Sequence, residues 1–292
     1  MPSIKQVIHE FQAELAKISF EEARLEAELI WMKILNLSRA ELFSYGHTEL
    51  KDKKKRKAAM SLLNRRLKNE PLAHLIGSKE FFGISLKTSS KALVPRPETE
   101  IVVSEALEIL KGKGNHLIAD VGCGTGAIAI SIAKNSPKTQ VYALDISKNA
   151  INLATENIRL HQLGKQIQII QSDLLENLPR KVNMLLANLP YIPTIDLPFL
   201  QSEVQLYEPL KALDGGINGT ELINRFLRES KSSLLPKGII ILEIDPKQVK
   251  EILSLSSMYF PASSYKVVHD AADRARVIVI HTNISSSPNG TN

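Results

Sequence analysis

Apolar residues Ile8, Phe11, Leu15 and Ile18 recur three or four positions apart near the start of the chain, a spacing that places them on one face of a helix. Ser19-Phe20-Glu21-Glu22 and Ser38-Arg39-Ala40-Glu41 both follow the capping-box pattern. In that pattern a hydroxyl satisfies a free backbone N–H while the glutamate reaches back to the cap. Gly46 stands where it would stop the helix that Ser38 starts. The basic run "KDKKKRKAAMSLLNRRLKN" leads into a further helix, which Pro71 ends. Residues 1–72 therefore read as a small helical bundle domain. Residues 73–97 carry Gly77, Gly83, short β-type segments and two prolines, the pattern of a β-hairpin linker.

From residue 98 the period alternates. Helix "TEIVVSEALEILK" precedes strand "HLIADVG", and helix "AIAISIAKN", strand "QVYALD", helix "NAINLATENIRLHQ" and strand "IQIIQSD" follow. Strand "VNMLLAN", a long loop, helix "ELINRFLRESKSSLL" and strand "GIIILEI" come next, and β-like segments near "SYKVVHD" and "ARVIVIH" close the pattern. Strands alternating with helices predict an α/β domain over 98–282, a doubly wound, mostly parallel, seven-stranded Rossmann-like sheet. The polar stretch 283–292 is expected to be a disordered tail.

Composition narrows the class. The chain has 292 residues, 43% of them hydrophobic, enough for one large core and a second, smaller domain. No apolar run approaches the roughly 20 residues that cross a bilayer. The first residues show neither a secretory h-region nor an Arg-rich transit pattern. A single cysteine excludes an intramolecular disulfide, and the expectation is a soluble, cytoplasmic monomer. The net charge of +6 permits an anionic partner without requiring one. The basic run 51–57 reads as a solvated face or as a contact for an acidic surface or nucleic acid. The seven histidines show no ligand spacing, so no metal is expected.

"IADVGCGTGAIAI" places Gly122, Gly124 and Gly126, with Cys123 and Thr125 between them, at a strand-to-helix junction. Glycines allow a tight turn and close approach of a ligand to backbone N–H groups. The stretch also satisfies the dinucleotide pattern G-x-G-x-x-G/A, so an NAD-dependent dehydrogenase has to be weighed. Asp145, ending the next strand, suits either cofactor because a carboxylate there accepts from ribose hydroxyls. Asp120, immediately before the loop, separates them: it repels a pyrophosphate and attracts an ammonium group, favouring S-adenosylmethionine. Asp173 ends the third strand and can accept from an adenine amino group, next to the backbone N–H of Leu174. Cys123 reads as a small loop filler.

Asn188-Leu189-Pro190-Tyr191 ends the fourth strand, where open α/β sheets hold their ligands. A planar NH2 group is a poor nucleophile because its lone pair is delocalised. Two acceptors, the Asn188 side-chain carbonyl and the backbone carbonyl of residue 189, could hold such a group with its lone pair facing a methyl donor. Pro190 stiffens the loop, and Tyr191 could cover a planar target. No general base is evident.

With these residues in view, the chain resembles the class I S-adenosylmethionine-dependent methyltransferases, and more narrowly the release-factor glutamine N5-methyltransferases (the PrmC/HemK family). The helical start, "LVPRPETE" at 93–100, "DVGCGTGAIAI", "LDIS", "NLPYIP" and "YEPLKALDGG" at 207–216 occur in the family's order. The resemblance implies a glutamine grip at Asn188 to Tyr191 and a cofactor site at Gly122 to Gly126, Asp145, Leu174 and Asn188. It also implies that the substrate is the Gly-Gly-Gln loop of class I peptide-chain release factors. Two positions depart from the pattern: Leu189 replaces a usual proline, and Asp245 stands where glycine is usual. Asn-Leu-Pro-Tyr is also similar to the motif of ribosomal-RNA adenine dimethyltransferases, so an RNA adenine N6-methyltransferase is the main alternative. A cofactor-binding sensor without catalysis would leave Asn188 and Tyr191 without a purpose.

Overall fold

The computed structural model describes residues 1–112 and 114–284, so most of the stretch expected to form a tail lies outside the described residues. Helices α1 (Ile4–Leu15), α2 (Ala23–Leu35), α3 (Arg39–Ser44), α4 (Lys53–Arg66) and α5 (Leu72–Ile76) come first. The hairpin β1 (Ser78–Phe81) and β2 (Ile84–Lys87) follows, then α6 (Glu100–Leu110), β3 (His116–Val121), α7 (Ala127–Asn135) and β4 (Thr139–Asp145). Next are α8 (Lys148–Leu160), β5 (Ile167–Gln171), β6 (Val182–Ala187), β7 (Ile192–Pro193), α9 (Ser202–Tyr207) and β8 (Asp214–Gly216). The chain closes with α10 (Glu221–Ser233), β9 (Leu234–Glu243), α11 (Val249–Tyr259), β10 (Ser264–His269) and β11 (Ala275–His281).

Two compact units result, one of residues 1–78 with 201–207, the other of 79–200 with 208–292. In the helical unit, α1 buries Ile4, Val7, Phe11 and Leu15 against Ala27, Ile30 and Trp31 of α2. The Phe11 and Trp31 rings meet at 5.1 Å between centroids. The expected stripe is shifted: Ile18 lies beyond the helix and is exposed. The capping box at Ser38–Glu41 forms, and a second one forms at Ser3–Gln6. The one expected at Ser19 does not, because α2 starts four residues later with Glu22 as an N-cap that makes no side-chain bond. Arg66 is buried between Glu26, which it grips with N–O distances of 2.9–3.0 Å, and Glu203 of α9 at 3.0 Å. Tyr207 adds a hydrogen bond from its hydroxyl to the Lys68 carbonyl.

The second unit holds a seven-stranded sheet in the order β10-β11-β9-β6-β3-β4-β5, parallel except where β11 runs antiparallel to both neighbours. Strand alternation explains why helices cover both faces. Ile118, Met184, Ile241 and Val277 point into one core with α6, α7 and α8. Their neighbours Ala119, Leu185, Leu242 and Ile278 point into another with α10 and α11. After β5 the chain crosses to the far side of β3, which makes the gap between β3 and β6 the topological switch point. The hairpin turns at Phe82 and Gly83, both left-handed, and the Phe82 N–H is held by Glu100 Oε1 at 2.9 Å.

Replacing Arg66 by alanine strands the buried carboxylate of Glu26 without its partner. Breaking such a pair costs about 3–5 kcal/mol, and denaturant unfolding of Arg66→Ala should show a loss of that size.

Candidate active site

The ends of β3 and β6 lie level, with Val121 paired to Ala187, so the glycine loop and Asn188 emerge side by side. Between them opens a cavity of about 890 Å³, within the range of small-molecule sites. Gly122, Cys123, Gly124, Thr125, Asp145, Asp173, Leu174, Asn188, Leu189 and Pro190 all line it. Most of the site residues expected from the sequence therefore meet at one place.

Gly124 has φ +56 and nothing within 4 Å of where a side chain would start, so its backbone is open to a ligand. Its N–H donates to Asp145 Oδ2 at 2.9 Å, and Ser147 N–H donates to Oδ1 at 2.8 Å. Burial raises the Asp145 carboxyl pKa, and these two donors oppose the rise. Each oxygen keeps a lone pair for a further donor such as a ribose hydroxyl. Burial also pushes the Cys123 thiol well up, which keeps it an inert wall residue.

Asp120 is the first correction. It has no exposure and is absent from the cavity wall, because it lies beneath the loop and caps α7 from below. Its Oδ2 accepts from Ala129 N–H at 3.0 Å, while Oδ1 has no partner among the described residues. Burial pushes its pKa up to about 7. Tyr191 is the second correction. Its ring packs on the core of α10 and α11, and its hydroxyl turns to Glu243 Oε1 at 3.5 Å, so it does not wall the cavity. Burial raises the Tyr191 pKa. Asp173 reaches the cavity, but one of its oxygens is bonded to Arg225 Nη2. Arg225 is itself held by Glu229 four residues on, at 3.0 Å. Nothing in "ELINRFLRES" links that arginine to Asp173 beforehand.

A whole wall of the cavity has no counterpart among the expected site residues. Residues 90–96 and Thr99, in the linker and at the helix start, line the cavity, as do Pro209 to Ala212. Arg96 joins these stretches, donating from Nη2 to both oxygens of buried Glu208 at 2.8 and 2.9 Å. The motif fragments "VPRPETE" and "YEPLKALDGG" were visible, and this ion pair is what they build. Asn188 donates from Nδ2 to Thr99 Oγ1 at 2.9 Å, which leaves the carbonyl end of its amide for a ligand. The Leu189 side chain is buried in the core, so its role is packing as much as loop shape. Asp245 caps the short turn Pro246–Gln248, accepting from Lys247 N–H at 2.8 Å, which gives that departure a physical reason.

Gly215 shows how tightly the loop is held. A Cβ there would lie 2.8 Å from Pro190 O, 2.7 Å from Tyr191 Cα and 2.6 Å from Gly219 O, all backbone atoms that cannot step aside. Gln248 Nε2 binds Tyr191 O from another side at 2.9 Å.

Comparison with known proteins agrees with both units. Residues 6–77 match the PrmC N-terminal domain and residues 100–196 the methyltransferase small domain. A release factor glutamine methyltransferase of Coxiella burnetii is 34% identical, covering 94% of this chain and 96% of its own. One of Moorella thermoacetica is 35% identical, covering 96% and 98%. Among solved structures, a methyltransferase from Pyrococcus furiosus aligns with TM-score 0.53 at 15% identity, covering 80% of this chain and all of its own. The Thermus thermophilus 16S rRNA N2 G1207 methyltransferase, solved with AdoMet and guanosine, aligns with TM-score 0.51 at 16% identity over 70% of this chain and 49% of its own. At such identities these two structures speak for the fold alone.

Two outcomes follow from this geometry. Asp145→Ala should weaken S-adenosylmethionine binding by about 1.5–3 kcal/mol, the range for hydrogen bonds to a charged group, as read by calorimetry. Gly215→Ala overpacks the loop and should cost about 1–3 kcal/mol, seen as a lowered melting temperature.

Proposed function

Because the chain belongs to the release factor glutamine methyltransferase family, we propose that it methylates the side-chain amide of the glutamine in the Gly-Gly-Gln loop of class I release factors. The observation that carries this is the meeting of two half-sites in one cavity. The Gly124–Asp145 pair lies at one strand end and Asn188–Leu189–Pro190 at the next. The cavity fits S-adenosylmethionine: Asp145 offers acceptors for ribose hydroxyls, Asp173 and Leu174 bound the adenine end, and Gly124 leaves its backbone uncovered. When bound, S-adenosylmethionine supplies an electrophilic methyl group, the C–S electron pair leaving with sulfur as the glutamine nitrogen forms its C–N bond.

The chain's own residues supply orientation. The Asn188 carbonyl accepts one amide N–H of the glutamine and the Leu189 backbone carbonyl the other, which turns the nitrogen lone pair away from both. The same two dipoles stabilise the positive charge that develops on nitrogen before a proton departs to solvent. Pro190, clamped by Gly215, keeps these acceptors from swinging. The helical unit, matching the PrmC N-terminal domain, receives the release factor, and the reaction is cytoplasmic.

The test is mass spectrometry of purified release factor after incubation with the enzyme and S-adenosylmethionine. One added methyl group on the Gly-Gly-Gln peptide is expected. Asn188→Ala should lower the rate by about 100- to 1,000-fold, as for loss of one preorganised polar contact, while cofactor affinity changes less than about tenfold, or ~1.4 kcal/mol. Methylation of adenine in RNA with the glutamine left unmodified would overturn the substrate.

A further inference from the structure

Asn157 lies in α8 with no exposure, between Ala154 and Ile158 of the apolar core. Burying an amide there is unfavourable unless its polar atoms are bonded. Its Oδ1 accepts from the Lys87 backbone N–H at 2.8 Å. Its Nδ2 donates to the Lys87 carbonyl at 3.1 Å and to the Thr125 carbonyl at 2.9 Å. An asparagine has two N–H donors, so both are in use. Nor can the amide turn over. Exchanging its ends would set N–H against N–H at Lys87 and oxygen against two carbonyl oxygens.

The Thr125 carbonyl depends on this side chain. Thr125 precedes Gly126, the N-cap of α7, so its carbonyl stands outside the helix ladder. The N–H four residues on, that of Ala129, goes instead to Asp120 Oδ2 at 3.0 Å. A buried carbonyl in that position needs a donor from elsewhere, and Asn157 brings one from α8. Ala154, three residues before Asn157 and on the same helix face, packs on the same turn. A Cβ at Gly126 would lie 3.4 Å from the Ala154 Cβ. Asn157 thus ties together two walls of the cavity. Thr125 belongs to the glycine loop, and Lys87 ends β2, from which the chain runs on into the wall at 90–96.

We propose that Asn157 is a positioning residue for the cofactor: it holds the Thr125 carbonyl against α8 and so keeps the glycine loop in the shape that admits S-adenosylmethionine. Thr125 lines the cavity, so a carbonyl without its Asn157 donor finds water only on the cavity side. Gly126, at φ +81 and without a side chain, lets the intervening peptide turn that way. The turned carbonyl takes room beside Gly124, where the backbone now lies open to a ligand. The inference rests on the cofactor site assigned under the proposed function. The coupling is reciprocal, so bound cofactor must in turn hold the Asn157 bonds more firmly.

The test measures S-adenosylmethionine binding by calorimetry in Asn157→Leu, Asn157→Ala and His161→Ala, with kcat and the release factor KM on each. Leucine has about the size of asparagine and removes all three bonds, whereas alanine leaves space for water to replace some of them. Asn157→Leu should weaken cofactor affinity about tenfold, the size of one net hydrogen bond, and Asn157→Ala somewhat less. The release factor KM should stay parental. A merely destabilised protein would bind with lower stoichiometry at parental affinity, and that result counts against the proposal. His161→Ala cuts another tie between α8 and the hairpin, Nε2 to the Ser85 carbonyl at 2.9 Å, without touching the glycine loop. It should leave cofactor affinity unchanged, and a loss equal to that of Asn157→Leu would overturn the role given to Thr125. In the parent protein, hydrogen exchange of the Asn157 side-chain NH2, read by NMR, should slow about tenfold when S-adenosylmethionine is added. If neither Asn157 variant folds, an exchange rate that the cofactor leaves unchanged overturns the proposal. Parental affinity in Asn157→Leu overturns it directly. A parent protein that does not bind S-adenosylmethionine would remove the cofactor site itself. One that binds it and leaves the glutamine unmodified would remove only the substrate reading, with the Asn157 affinities still deciding this one.

Discussion

β6 is hydrogen-bonded to β3 on one side and β9 on the other, with Ala187 level with Val121 and with Leu242. That register determines what the site can contain. Because the three strands stop together, the glycine loop, Asn188 and Glu243 leave the sheet at one height. A slip of one residue in β6 would exchange its inward and outward side chains and remove Asn188 from its neighbours. The register is held by burial on both faces: Val182, Met184, Leu185, Leu186 and Ala187 are each 2% exposed or less. Hydrophobic burial far below the cavity thus sets polar distances at its rim.

Carboxylates recur around and beneath that rim in buried or half-buried positions, and their partners differ in kind. Glu208 is met by a guanidinium, Asp145 by backbone N–H groups, and Asp120 by the first turn of α7. Each one ties a loop to a regular element. Burying such groups is unfavourable unless they are bonded, so each bond limits the conformations open to its loop. The tight backbone contacts around Gly215 act in the same direction without charge.

The alternation of strands and helices was plain in the sequence because β3, β4 and β6 are short apolar runs separated by amphipathic helices. The glycine loop, Asp145 and Asn188 were plain because strand ends in such sheets face the ligand. Asp120 and Tyr191 were placed too near the ligand, since adjacency in sequence does not tell which side of a turn a side chain takes. Arg225 and Thr99 were invisible as site residues. Their partners lie 52 and 89 positions away, and no periodicity records a pairing at that range. Ser19 misled for a local reason: a capping pattern is permissive, and the chain begins its helix where packing on Phe11 and Leu15 allows.

α9 belongs to the helical unit although its residues come long after that unit's other helices. Arg66 is bidentate with Glu26, 40 positions before it, yet its second carboxylate, Glu203, is encoded 137 positions later. On the ribosome, then, the amino-terminal helices emerge first but wait for most of the sheet to be translated before their last piece arrives. The polypeptide passes between the two units three times, at 78–79, 200–201 and 207–208. No single proteolytic cut can release the helical unit whole, and a gene fragment ending near residue 78 encodes it without its final helix.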